Sequence, residues 1–333
     1  MIKIVTGGFG FSGQVIARKL LEAGLKVRTL TNSPDRESPL RGRIEVAPLC
    51  FEDPERLARN LAGADVLYNT YWVRFNHGTF NHSSAVENTR ILFAAAKRAG
   101  VRKIVHVSIT NPDEHSDLEY FSGKGRLERE LMESGLEYGI LRPAVLFGPG
   151  DILINNIAWA LRRFPAFALF GDARYRLQPI FVEDFAELAV REGGAAGSRV
   201  VEAIGPERFT YEELVRMVGR RIGRERPMLH VPPGLGHAAA SLIGWWMKDR
   251  FLTREEITGL MRDLLHVDAP AAGWTRLTEW VGAHAEGLGR TYASELGRRG
   301  RGCHAKTRRR EDAKGGRRWR LGVGRFPASS VTV

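Results

Sequence analysis

The stretch Thr6-Gly7-Gly8-Phe9-Gly10-Phe11-Ser12-Gly13 constrains this chain more than any other. It follows the run Ile2-Lys3-Ile4-Val5, which reads as a strand, and opens a helical pattern over residues 14–23. Strand, glycine-rich turn and helix, in that order, form the context of a dinucleotide-binding βαβ unit. Gly7 and Gly8 permit a turn that side chains would block. Gly10 lets the backbone approach a pyrophosphate, and Gly13 lets the helix pack closely on the first strand. The helix start offers its free N–H groups to anionic oxygens. Thr6, Gly7, Gly10, Phe11, Ser12 and Gly13 are therefore the candidate phosphate-side residues.

Apolar runs with β character continue at residues 26–31, 44–47, 65–70, 103–108 and 138–142. Helical patterns lie between them at 54–61, 84–99 and 118–134. Such alternation predicts an α/β fold with a doubly wound parallel sheet. After Pro143 the regularity breaks at the loop Leu146-Phe147-Gly148-Pro149-Gly150-Asp151. Helical patterns at 211–222, 234–248 and 254–265 then dominate, and residues 200–203 look like a return to the sheet. The predicted organisation is a Rossmann-like domain over 1–200, a mainly helical cap over 201–296 and a basic tail over 297–333.

Charge separates the tail from the rest. The net charge is +12, and residues 297–333 hold twelve Lys and Arg against Glu311 and Asp312, leaving the remainder nearly neutral. The Gly- and Arg-rich tail has no apolar period and is expected to be disordered. It reads either as an arm for nucleic acid or acidic headgroups or as a dispensable extension. Without an accompanying aromatic or helical pattern, nucleic-acid binding is not expected of the protein. Cys50 and Cys303 form no disulfide framework, no secretory signal precedes the first strand, and no apolar run reaches 18 residues. The expectation is a soluble cytoplasmic protein without a transmembrane segment. The helical pattern around Trp245-Trp246 is expected to be the buried face of the cap, with peripheral membrane contact as the alternative.

Two further motifs carry chemistry. The second strand ends Thr31-Asn32-Ser33-Pro34-Asp35-Arg36. NAD-selective sites place an acid here for the ribose hydroxyl; Asn32 and Ser33 repel nothing, and Arg36 can reach a 2′-phosphate. NADP(H) is thus the expected cofactor, with NAD(H) as the alternative. Downstream, Tyr120-Phe121-Ser122-Gly123-Lys124 follows Ser108, which ends the preceding strand. Residues four apart share a helix face, so Lys124 can approach the Tyr120 phenol and favour its ionised form. Ser108 can orient a substrate carbonyl beside it.

These motifs, in this order, resemble the short-chain dehydrogenase/reductase superfamily, in the extended or atypical branch called NAD-dependent epimerase/dehydratase-like or NAD(P)H-binding. The segments 94–108, 141–148 (Leu-Arg-Pro-Ala-Val-Leu-Phe-Gly) and 179–186 (Pro-Ile-Phe-Val-Glu-Asp-Phe-Ala) agree with it, and the resemblance spans about residues 1–290. It implies an NAD(P)-dependent oxidoreductase or epimerase acting on a small molecule. Tyr120 would be the proton donor, Lys124 its partner and ribose ligand, Ser108 the carbonyl-orienting group, and Pro143 part of the nicotinamide-side loop. Cys50 stands where the family often has an aspartate at the adenine, Ala85 where it has a catalytic-site asparagine, and the interval from Ser108 to Tyr120 is short. A second reading is therefore a non-catalytic NAD(P)H-binding sensor or an accessory subunit of a larger complex. His77 and His82 lack metal-ligand spacing and read as solvated loop residues, so no metal is expected. Tyr71, Trp72, Phe75 and Phe80 follow the fourth strand; they either line an apolar substrate pocket or pack beneath a loop.

Overall fold

The computed structural model describes residues 1–73, 76, 81–232 and 254–294. Strands and helices alternate as β1 (Ile2–Thr6), α1 (Phe11–Glu22), β2 (Lys26–Leu30), β3 (Glu45–Ala47), α2 (Pro54–Leu61), β4 (Ala64–Asn69), α3 (His82–Arg98), β5 (Lys103–Val107), α4 (Glu119–Glu133) and β6 (Glu137–Pro143). Next come β7 (Val145–Phe147), α5 (Leu153–Arg163), β8 (Phe167–Phe170), β9 (Arg176–Leu177), β10 (Pro179–Phe181), α6 (Val182–Gly194) and β11 (Arg199–Ala203). The described part ends with β12 (Phe209–Thr210), α7 (Tyr211–Arg221), β13 (Met228–Val231), α8 (Arg254–Met261) and α9 (Leu277–Ala283).

One seven-stranded sheet runs β3-β2-β1-β4-β5-β6-β11 with every pair parallel. Both faces are covered: α1 and α6 pack together on one side, and α2, α3 and α4 form a row on the other. This two-sided burial is why β1, β4 and β5 carry near-continuous apolar runs rather than alternation. Strand order reverses between β1 and β4, which opens a crevice at their carboxyl ends. The expected doubly wound sheet is present, and residues 199–203 do return to it.

Local chemistry fixes several boundaries. Asp53 accepts the Arg56 N–H at 2.9 Å with Pro54 at the first helical position of α2. Asn81 caps α3 by accepting the Ser84 N–H at 2.7 Å. Helix α1 starts at Phe11, earlier than the apolar pattern suggests, because the Gln14 N–H already bonds the Gly10 carbonyl at 3.0 Å. Phe11, Ser12 and Gly13 consequently form the first helical turn.

The cap has its own core, built around Trp159, Leu161, Leu214, Val218 and Trp280 of α5, α7 and α9. Helix α5 thus belongs to this core although it precedes residue 201. Two further strand pairs, not predicted from the sequence, lie around this core: β8 pairs with β13, and β9 with β12. At two to four residues these strands are too short to show a period. The predicted helix at 234–248 and the tail at 297–333 lie outside the described residues.

Candidate functional site

The glycine turn is built as the fingerprint requires. Gly7 adopts φ +61°, a left-handed conformation that glycine adopts without penalty. A Cβ on Gly13 would stand 2.3 Å from the Gly7 carbonyl oxygen, and one on Gly8 would stand 2.7 Å from Thr29 Oγ1. The turn is therefore closed on itself, with α1 seated directly against it. A cleft of about 700 Å³ opens over Gly10, Gln14, Ser33 and Arg36, with Tyr292 on its rim. Gly10 lies close beneath the Arg36 guanidinium: a Cβ there would be 3.9 Å from Nη1. The other residue at the strand end turns away, since Asn32 Oδ1 accepts the Leu49 N–H at 3.2 Å. The Thr6 side chain is likewise buried and committed, accepting the Thr70 and Tyr71 N–H groups and donating to Asn69 Oδ1.

A second cavity, of about 410 Å³, lies across the switch point and brings together Ser108, Tyr120, Lys124 and Pro143. Phe11, at the start of α1, lines both spaces, so the cleft and the cavity are neighbours. Apart from Thr70, Ser108, Tyr120, Lys124 and Glu255, its described lining is aliphatic or aromatic. Ser108 follows β5; its N–H is held by Leu141 O at 2.7 Å, and its buried Oγ has no hydrogen-bond partner among the described residues. Such a hydroxyl is costly unless something that enters the cavity satisfies it. Lys124 is 2% exposed; its ammonium donates to Val107 O at 2.6 Å and lies 4.2 Å above the Trp72 ring. Burial brings its pKa down to about 7, against an opposing pull from Glu128. Tyr120 packs edge-on against Trp72 and His82, both at 5.6 Å between ring centroids.

Beneath the cavity a buried polar chain ties the strand ends together. Asn69 Oδ1 accepts from Thr6 and from the Tyr71 N–H, so its Nδ2 must donate to His106 Nδ1 at 3.0 Å. His106 then carries its proton on Nε2, and full burial keeps it neutral, far below the usual imidazole range. Wholly internal, this chain holds the end of β4 in register with the turn.

Several residues differ from expectation. His82 is no solvated loop residue: it opens α3, is 2% exposed and stacks on Trp72. Its environment comes from α4 and the β4 loop, distant in sequence, and so was invisible to spacing. Of the four aromatics after β4, Trp72 lines the cavity and Tyr71 packs on Phe51. Phe75, His77 and Phe80 lie outside the described residues. Gly123 does not break α4; a Cβ there would press on Val86 and Trp72 at 3.0–3.1 Å. Its lack of a side chain lets Trp72 reach Lys124. The short interval between Ser108 and Tyr120 is taken up by a tight loop, since a Cβ on Gly125 would meet the Glu114 nitrogen at 2.5 Å. Ala85 is buried with its carbonyl held by Thr89 Oγ1, whereas Asn88, one turn on, donates to the Tyr71 hydroxyl. Glu255, which sequence reading missed, enters the cavity from α8.

Among the described residues no cluster of three or more side chains could hold a metal, and no helix is long and apolar enough to cross a membrane. A family model described as NAD(P)H-binding matches residues 7–151. The chain is 27% identical over 305 residues to ceramide reductase of Caulobacter vibrioides, covering 84% of this chain and 94% of that protein. It is 24% identical over 230 residues to the mitochondrial NADH dehydrogenase (ubiquinone) 1 alpha subcomplex subunit 9 of Arabidopsis thaliana. That match covers 66% of this chain and 57% of the subunit, so the chain spans little more than half of that relative. A solved nucleoside-diphosphate-sugar epimerase from Staphylococcus aureus shares the fold, with a TM-score of 0.65 at 18% identity over 89% of this chain and 98% of that one. The closed glycine turn, the reversed strand order and the NAD(P)H-binding match together make residues 7–151 an NAD(P)H-binding region of Rossmann-like fold.

Proposed function

We propose that this protein is an NADP(H)-dependent oxidoreductase acting on a carbonyl or hydroxyl carbon of a largely apolar small molecule. The observation that carries the reading is one cavity in which Ser108, Tyr120 and Lys124 converge, with Phe11 in its wall and in that of the glycine-turn cleft. The residues present fit a dinucleotide: the cradle at Gly7, Gly10 and Gly13 excludes side chains, and the buried Ser108 hydroxyl awaits a partner. Phe11, Ser12 and Gly13 would hold the pyrophosphate, Ser33 and Arg36 the 2′-phosphate, and Lys124 and Pro143 the nicotinamide side. When bound, the cofactor supplies or accepts the hydride. Ser108 holds the substrate oxygen, and Tyr120 gives it the proton that turns carbonyl into alcohol, or takes that proton back in the reverse direction. The apolar walls exclude water from the reacting carbon.

Titrating wild type and Tyr120→Phe with NADPH and NADH, then assaying cofactor oxidation with apolar ketones, tests the reading. Wild type binds NADPH more tightly, and Tyr120→Phe keeps both affinities while losing at least ~100-fold in turnover. Undiminished turnover in the variant overturns the role of Tyr120. The alternative, a non-catalytic NAD(P)H-binding subunit, draws on Ala85 and on the likeness to a subunit of NADH dehydrogenase. Tight cofactor binding with no turnover of any ketone or sugar nucleotide would favour it.

A further inference from the structure

The polar groups of the cavity are few, and one of them has no part in the proton transfer described above. Glu255 is the one acidic side chain among its described lining residues. It stands on α8, in a segment anchored firmly to the sheet domain: Thr110 Oγ1 and Asn111 Nδ2 donate to Leu264 O at 2.9 Å, and Arg262 pairs with Asp117. Its segment is therefore held against the loop between β5 and α4.

Inside the protein this carboxylate has one structural task. Oε1 accepts the Tyr120 N–H at 3.2 Å, capping the start of α4, whose own cap residue Leu118 offers no side-chain acceptor. Oε2 lies 3.5 Å from His82 Nδ1, yet neither ring nitrogen of His82 has a hydrogen-bond partner among the described residues. A carboxylate has about four acceptor sites. Among the described residues most of that capacity is left, and the side chain remains 27% exposed. Lys124, the opposite charge in the cavity, is placed differently: it is 2% exposed and its ammonium is directed at the Val107 carbonyl. Of the two charged side chains in the described lining, the Glu255 carboxylate is thus the more accessible to a ligand.

We propose that Glu255 is a specificity-determining residue. It selects apolar substrates that present a hydrogen-bond donor, such as a hydroxyl, amide N–H or ammonium, and rejects those that carry a carboxylate or phosphate near the reacting carbon. This rests on the cavity being the substrate pocket, as proposed above. An anion placed beside Glu255 would meet like charge in an enclosure with little water to screen it, whereas a donor would complete the unused lone pairs.

Binding, read without turnover, tests this separately from the reaction. Octylamine, octan-1-ol and octanoate are used to displace Nile red from the full-length protein with NADPH present. Wild type, Glu255→Gln and Glu119→Gln are compared. Glutamine keeps an acceptor for the Tyr120 N–H, so the helix cap survives while the charge goes. Glu119→Gln removes a carboxylate that also approaches His82 Nδ1, at 3.8 Å, but lies outside the described cavity lining. In wild type, octanoate requires at least tenfold higher concentration than octylamine or octan-1-ol. In Glu255→Gln the gap between octanoate and octan-1-ol closes to within threefold, and Glu119→Gln behaves as wild type. Equal discrimination in wild type and Glu255→Gln, or no displacement by any of the three, overturns the proposal. Discrimination that depends on Glu255 in a protein that turns over no ketone would overturn the oxidoreductase reading and leave this one standing.

Discussion

A lysine buried away from water keeps its proton poorly, because burial disfavours the charged form. Lys124 is in that position, and burial brings its pKa down to about 7 from an ordinary 10.5. The folded form therefore releases this proton at a lower pH than the unfolded chain does. Between those two values the unfolded chain binds more protons, so the native state gains stability as pH rises from about 7. Below 7 both forms are protonated and the contribution is flat. Lys124→Met fills a similar volume without titrating. Urea unfolding from pH 7 to 9 is expected to show wild type gaining up to ~1.4 kcal/mol per pH unit relative to the variant. Parallel profiles would mean that the ammonium is solvated. Lys103, whose pKa burial also lowers, titrates in both proteins and cancels in the difference. At this scale the sequence revealed the identity of Lys124 but not its environment. Spacing on one helix placed it a turn from Tyr120, while Trp72 and Val107, which fix its charge, arrive from other strands.

Among the elements, α1 and its turn were the most legible, because glycine spacing reports backbone geometry directly. Gly13 shows why: the Gly7 carbonyl occupies the space that its Cβ would need. Backbone cannot rotate aside as a side chain can. Gly13→Ala is expected to cost ~1–3 kcal/mol in chemical unfolding and to weaken NADPH binding at least tenfold, because relief requires α1 to shift off the turn. Gly194→Ala, with nothing within 4 Å of the new methyl, provides the contrast and should leave both measurements nearly unchanged. If Gly13→Ala binds NADPH as well as wild type, the turn is not the phosphate cradle. Caps such as Asp53 and the Thr210–Glu213 pair were equally readable, being local in sequence. The short strands β8, β9, β12 and β13 were not. Their pairing is set by partners tens of residues away, as Met228–Val231 lies against Phe167–Phe170. Glu255 escaped notice for the same reason: no motif marks a side chain that matters only once two elements meet.

At the scale of the whole molecule, charge and chemistry occupy different parts of the chain. Residues 297–333 hold nearly all of the net positive charge, whereas the described lining of the cleft and the cavity lies within residues 9–294. The chain leading to that point is anchored, since Asn156 binds Ala293 through both its backbone groups and Asn155 Nδ2 donates to Thr291 O. Removing everything after Leu296 therefore takes away the charge without disturbing a described wall of the cofactor cleft. Heparin, a polyanion that reports charge alone, is expected to bind the full chain weakly, with an affinity that falls steeply as salt is raised. The truncated chain should lose that binding while its affinity for NADPH stays within twofold at 150 mM salt, where charges more than about 8 Å apart are largely screened. A several-fold loss of NADPH affinity on truncation, restored by lowering the salt, would show instead that the basic segment acts on the cofactor phosphates from the mouth of the cleft.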